Sequence, residues 1–316
     1  MNGRVIALAG GVGGAKLALG LSRVLAPGAL TVIANTGDDF THLGLAISPD
    51  IDTLTYTLAG LADPLQGWGR RGETWAFMTA LQQLGGETWF RLGDQDLALH
   101  VERTHRLVAG ESLSAFTERV RQRLGVATAI VPMTDDTVRT RLRTDEGWLD
   151  FQDYFVRRRC VPCVHEIAYH GAENARPAEA LRQSLADETL RAVVICPSNP
   201  LLSIAPILAM PGVRAALAGC TAPVIAVSPL IGGQAVKGPT AKLMRELGKE
   251  VGVGGIARCY AGLIDALLID AGDRPAGPAQ EIEWIDAPLL MNTIEDREHL
   301  AVAVLAAADR LSRRAG

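Results

Sequence analysis

The chain has 316 residues, of which 48% are hydrophobic and 21% charged, with a net charge of −4. That length allows one large α/β domain or two smaller ones around a sizeable core. The acidic balance argues against a nucleic-acid binder, no apolar run approaches the ~18 residues of a membrane span, and five cysteines give no disulfide framework. The expectation is a soluble cytoplasmic protein.

Val5–Ala9 is a short apolar run followed by glycines and Lys16, which reads as a first β-strand rather than a signal peptide. Residues 16–25 have helical spacing and Leu30–Ala34 reads as a second buried strand, so the chain opens with a βαβ unit. The connecting loop, Gly10-Gly11-Val12-Gly13-Gly14, resembles two phosphate-binding loops and matches neither. A P-loop needs Gly before its Lys and Ser or Thr after it, where this chain has Ala15 and Leu17. Counted from Gly11, the dinucleotide fingerprint puts Lys16 where its third glycine belongs. What is left is a glycine loop whose N–H groups can approach an anion, and a helix carrying Lys16 in its first turn. The plain alternative is a tight βα turn that binds nothing.

Next, "NTGDDFTHLGLAISPDIDTLTY" gathers Asp38, Asp39, Asp50 and Asp52 around a chain reversal. Crowded carboxylates need water, a helix N-terminus or a cation to offset their repulsion. Ser48-Pro49 has the pattern of an N-cap followed by an N1 proline, so Asp50 and Asp52 also suit a first helical turn.

Residues 74–84 and 94–124, the latter divided at Gly110, read as helices. Residues 138–143 and 148–156 read as a hairpin around Asp145-Glu146-Gly147. The region of about 60–175 is therefore expected as an insertion in a single α/β nucleotide-binding domain spanning 1–316. Strand candidates recur at 126–131, 192–196, Val224–Val227 and 267–269, each followed by a polar or Gly/Pro loop, where open α/β sheets bind ligands. Two of these loops, "CPSNPLLSIAPIL" and "VSPLIGGQAVKGPTAKLM", share a layout. Pro197 and Pro200 stiffen Ser198 and Asn199, while Ser228, Gly232, Gly233 and Gly238 open backbone space beside Lys237. Residues 293–313 form a long helical pattern with a capping-box start at Thr293 and Asp296.

Three features read as structural. Cys160-x-x-Cys163 with His165 lacks a second ligand pair at zinc spacing. His100 and His105 fall on an exposed or half-buried helix face. Arg139, Arg141 and Arg143 alternate along a solvated hairpin face, with contact to an acidic ligand as the alternative.

Occurring in one order, "GGVGGAKL", "NTGDDFTHLGLAISPDIDTLTY", "LGDQDLALH", "PMTDDTVRT", "PSNPLLSIAPIL" and "SPLIGGQAVKGPTAKLM" resemble the 2-phospho-L-lactate transferase family, CofD in archaea and FbiA in actinobacteria. The resemblance runs from about residue 4 to about residue 270. It implies a Rossmann-like, doubly wound, mostly parallel α/β fold, a homodimer, and magnesium-dependent transfer of a phosphorylated three-carbon acid. That acid is 2-phospholactate, phosphoenolpyruvate or 3-phosphoglycerate. The implied donor is guanosine-diphosphate-linked, the acceptor is the terminal ribityl hydroxyl of the deazaflavin Fo, and the products are GMP and a coenzyme F-420 precursor. On this resemblance Gly10, Gly11, Gly13, Gly14, Lys16, Ser198, Asn199, Ser228, Gly232 and Gly233 belong to the nucleotide site. Asp52, Asp94 and Gln95 belong to the Fo site, with Gln95 standing where relatives often have Arg. Asp38, Asp39 and Asp50 are the candidate magnesium ligands, and Asp52 is the residue that orients the hydroxyl or accepts its proton. The alternative is a non-catalytic nucleotide-sugar-binding regulatory protein, since a related family opens with a similar glycine loop but lacks the "LGDQDLALH" and "PMTDDTVRT" stretches.

Overall fold

In the computed structural model, which describes residues 3–64, 68–275 and 282–315, seven strands form one parallel sheet. From edge to edge they are Glu283–Asp286, Ala266–Ile269, Val224–Val227, Ala192–Ile195, Val5–Ala9, Leu30–Ala34 and Ala129–Pro132. Counted along the chain this is the order 3-2-1-4-5-6 of a doubly wound Rossmann-like sheet with one further strand. The order reverses between Val5–Ala9 and Ala192–Ile195, which pair in register from Val5 with Ala192.

The central runs VIALA, AVVI, VIAV and ALLI are buried throughout, as strands of a sheet covered on both faces must be. Alternation sends Ile6, Leu8, Val193 and Ile195 into one core, against Ile204, Ile207, Leu243 and Ile256. It sends Val5, Ala7, Val194 and Ile225 into the other, against Leu17, Leu21, Leu54, Leu300 and Val304. The helices Gly11–Val24, Pro49–Leu58 and Ile294–Ala315 therefore cover that second face. Thr293 and Asp296 do form the capping box: Asp296 N donates to Thr293 Oγ1 (3.1 Å) and Thr293 N to Asp296 Oδ2 (2.8 Å).

Several elements differ from expectation. The first helix begins at Gly11, so the glycines make its first turn and Lys16 falls in its second. A short hairpin, Phe40–His42 with Leu45–Ile47, turns at Leu43 and Gly44, both with positive φ. The strand expected over 148–156 ends at Asp150, because Phe151, Tyr154 and Phe155 are spaced for a helical turn that buries Tyr154. A third strand, Val164–His170, completes a small antiparallel sheet with Arg139–Thr144 and Gly147–Asp150. Ala129–Pro132 pairs with Leu30–Ala34 at the edge of the main sheet. Among the described residues, no helix is long and apolar enough to cross a membrane.

Candidate active site

A cavity of about 680 Å³ opens at the point where the strand order reverses. The two loops leaving that point interlock. Gly10 N donates to Ser198 Oγ (3.0 Å), and the Ser198 hydroxyl donates back to Gly10 O (2.8 Å). A Cβ on Gly13 would stand 2.5 Å from Pro197 O, and one on Gly14 2.6 Å from Ser198 Oγ. These glycines are thus required for loop to meet loop, whereas Gly11 is required by its φ of 64°. Asn199 accepts from Leu201 N (2.9 Å) and Leu202 N (3.1 Å), capping the helical turn that begins at Pro200.

The positive end of the first helix already meets a carboxylate of the chain, for Gly11 N donates to Asp50 Oδ1 (2.6 Å). Val12 and Gly13 line the cavity with the other amides of that turn. Lys16 lines it too, its Nζ donating to Met291 O (2.8 Å). Burial, then the neighbouring Arg297 and Lys237, hold the Lys16 pKa below its ordinary value, which an arriving anion would relieve. Ser228, Lys237 and Gly238 also line the cavity. Gly232 and Gly233 do not: they turn the small hairpin of Leu230–Ile231 and Gln234–Ala235, and their amides donate to Asp273 Oδ2 (2.8 Å) and Oδ1 (3.1 Å). An internal carboxylate takes the place expected for a ligand.

Asp38 and Asp50 form part of the cavity wall, buried, with the Asn35 amide donating to both, to Asp38 Oδ1 at 3.2 Å and Asp50 Oδ2 at 2.9 Å. Burial, then the charges of Asp50 and Asp39, push Asp38 well above the carboxylate range, and burial pushes Asp50 up to about 6. Two hard oxygen donors whose charge is this costly fit a magnesium ion. Asp39 lies behind the wall, outside the cavity lining, and accepts from the Ser48 hydroxyl (2.8 Å). Burial raises its pKa to about 7.

Beyond these carboxylates two helices meet through charged side chains. Pro49–Leu58 presents Asp52 and Tyr56, and Asp94–Val108 presents Asp96, His100 and Arg103, at i, i+4 and i+7 on one face. Arg103 Nη2 donates to Asp52 Oδ1, and Tyr56 OH donates to Asp96 Oδ1 (2.5 Å). His100 Nε2 lies 3.3 Å from Asp96 Oδ2, and its Nδ1 3.8 Å from Asp52 Oδ2. Burial raises the Asp52 pKa even with Arg103 beside it. Asp52, Asp96 and His100 offer ligand atoms within 4.8 Å of one another, an arrangement that could hold a metal.

His100, expected on an exposed or half-buried helix face, is 1% exposed, since the polar face of its helix meets a second polar face instead of water. Asp94 and Gln95 stand outside the cavity lining. Asp94 caps the helix Ala76–Gln83, accepting from Ala76 N and Phe77 N (3.0 Å each), and the exposed Gln95 donates to Gly72 O (2.9 Å). The same motif does reach the cavity, through Asp96 and His100; their spacing with Arg103 was the signal that could have found them. Aromatic side chains complete the wall. Trp89 and Phe90 line it and are packed against His42 (5.0 Å, 69°) and Phe40 (4.9 Å, 75°), and Phe151 and Phe155 stack at 5.3 Å. The hairpin arginines pair at the surface, Arg141 with Asp150 (2.8 Å) and Arg143 with Glu166 (2.9 Å).

A Rossmann-like sheet with a cavity at its switch point, lined by Lys16 and Lys237, by buried carboxylates and by aromatic rings, defines an α/β protein whose candidate site lies where such sheets bind ligands. Its sequence is similar to the phosphoenolpyruvate transferase of Kitasatospora aureofaciens, at 40% identity over 98% of each chain. With that of Streptomyces griseus it shares 37% over 98% of this chain and 99% of the other. A solved UPF0052 family member from Bacillus halodurans superposes with a TM-score of 0.62 at 13% identity, over 96% of this chain and 99% of that one, a likeness of fold. The family described as 2-phospho-L-lactate transferase CofD matches residues 5–307. The chain belongs to that family, and it is a transferase.

Proposed function

We propose that this chain transfers phosphoenolpyruvate from a guanosine-diphosphate-linked donor to the terminal ribityl hydroxyl of the deazaflavin Fo, releasing GMP and forming a coenzyme F-420 precursor. The observation that carries the reading is one cavity lined together by Lys16, by Asp38, Asp50 and Asp52, and by aromatic side chains. The choice of phosphoenolpyruvate over 2-phospholactate or 3-phosphoglycerate rests on relatives of that name at up to 40% identity.

In this reading the donor diphosphate lies on the amides of Val12 and Gly13, with Lys16 and Lys237 opposing its charge. Asn199 and Ser228 face the nucleoside. The flat Fo ring lies on the aromatic wall, which leaves its ribityl chain to run toward Asp52. The ribityl oxygen attacks the phosphorus bearing the enolpyruvyl group, the bond to the bridging oxygen breaks, and GMP leaves. Asp52 orients that hydroxyl and accepts its proton. Magnesium, which Asp38 and Asp50 would hold, supplies neutralisation of phosphate charge. Asp39 backs these ligands, Asp94 and Gln95 set the start of the helix that carries Asp96 and His100, and Gly232 and Gly233 anchor the hairpin leading to Lys237. A cytoplasmic homodimer completes the reading.

The test is to incubate the purified protein with Fo, magnesium and each guanylylated acid in turn, and to identify products by mass. The enolpyruvyl product and GMP are expected from the phosphoenolpyruvate donor. Donor binding without any product from the three donors would favour the regulatory reading.

A further inference from the structure

We infer that Arg103 is the positioning residue for Asp52: its guanidinium fixes one carboxylate oxygen and so sets the direction in which the other is offered. The inference rests on the role given to Asp52 above.

Arg103 is 1% exposed and is the largest of the fully buried side chains. A buried ion pair seldom stabilises a fold better than apolar packing of the same volume, so stability alone gives little reason for one here. What a guanidinium supplies is direction, through donors in a rigid plane. Nη2 donates to Asp52 Oδ1, while Nη1 donates to Ala46 O (3.2 Å) and lies 3.3 Å from His100 Nδ1. The Phe116 ring stands 5.5 Å from its centre. The next residue secures the same anchor, since Ala46 N donates to Thr104 Oγ1 (2.8 Å), which itself donates to His100 O (2.6 Å). The guanidinium is thereby held on several sides, and of these parts Ala46, Thr104 and Phe116 lie outside the cavity lining.

The outcome is visible in what remains unpaired. Asp52 Oδ2 is buried with no hydrogen-bond partner among the described residues, and Asp52 lines the cavity, whereas His100 Nε2 lies beside Asp96 Oδ2 (3.3 Å). Arg103 does not line the cavity and acts only through Asp52.

The experiment compares Arg103→Gln, Arg103→Lys, Asp52→Asn and the Asp52→Asn/Arg103→Gln double variant. Turnover is measured with Fo varied at saturating guanylylated phosphoenolpyruvate, donor affinity by calorimetry, and folding by thermal midpoint. Arg103→Gln should lower kcat by about 10–100-fold with donor affinity within about twofold, and should cost no more than about threefold further in the Asp52→Asn background. Arg103→Lys, which restores charge without the planar fork, should regain the thermal midpoint but only part of kcat. Wild-type kcat in a folded Arg103→Gln protein, or losses that multiply in the double variant, would overturn the inference. If Arg103→Gln does not fold, Arg103→Lys decides: reduced kcat at an unchanged midpoint supports positioning, and full kcat overturns it. Wild-type constants in Asp52→Asn would instead remove the reading of Asp52 itself.

Discussion

At the glycine end of the cavity, two loops from neighbouring strands meet through the Gly10 backbone and the Ser198 hydroxyl; at the other end, two helices meet through five ionisable side chains. The first contact is rigid because its parts are the ends of paired strands, with Gly10 and Ser198 bonded in both directions. The second is a set of side-chain pairings, each of which a single substitution removes. Backbone there gives a shape; side chains here give a direction and a charge. The two ends should therefore fail differently when altered.

The largest failure is expected at the side-chain end. Asp52→Asn should lower turnover by ~10²-fold or more while leaving donor binding intact, the usual scale for losing a general base. Steady-state constants for Fo check this. A raised KM with full kcat would make Asp52 an acceptor contact only.

At the backbone end, Lys16→Ala should weaken guanosine diphosphate binding by ~1–3 kcal/mol, the worth of a charge-assisted contact, with little change in KM for Fo. Calorimetry showing unchanged affinity would leave Lys16 as a bracket for Met291 and nothing more.

The carboxylates between the ends give a pH dependence. Burial disfavours the charge of Asp39 and Asp50 and pushes their pKa values up to about 7 and about 6, from the 3.8 of an unperturbed aspartate. The folded chain binds more protons than the unfolded chain across that interval. The stability these groups contribute is full below about pH 4 and lost as pH rises through 6 and 7. The metal-free protein should lose roughly 2–4 °C of thermal midpoint between pH 5 and 7.5, and added magnesium should stabilise more at the higher pH. A metal-free midpoint that rises over this range would contradict the burial of these charges.

The smallest effect separates capping from binding. Asp94→Ala should cost ~1 kcal/mol of stability, as loss of a helix cap does, with KM for Fo unchanged. A thermal melt and one Fo titration suffice.

The glycine end was legible because its requirements are local. VIALA and AVVI show unbroken apolar strands, and Gly13 and Gly14 stand where a side chain would strike the neighbouring loop. Their meaning was less legible than their position. Amides expected to hold a ligand's anion hold Asp50 at Gly11 and Asp273 at Gly232 and Gly233, and an internal carboxylate imposes the same glycines as a phosphate. The helical end was hidden because "DQDLALHVERTHRLV" is polar enough to read as a solvated surface, and nothing in it says that its partner is a second polar helix. The edge strand Glu283–Asp286 escaped notice for a related reason: EWID is half-exposed and lacks the apolar run that marks its neighbours. Three residues per strand left the hairpin at Phe40–His42 too short for alternation to register.

The bond from Lys16 to the carbonyl of Met291 spans 275 residues of sequence. Leu17 and Leu21 of the first helix pack in one core with Leu300 and Val304 of the last. At about 5–20 residues per second, the ribosome finishes the partner of Lys16 roughly 15–55 s after Lys16 itself. For most of that interval the first helix has the strands and Pro49–Leu58 to pack on but lacks Leu300 and Val304. A ribosome stalled short of the helix Ile294–Ala315 holds a chain whose strands and loops are made but whose second core lacks one wall.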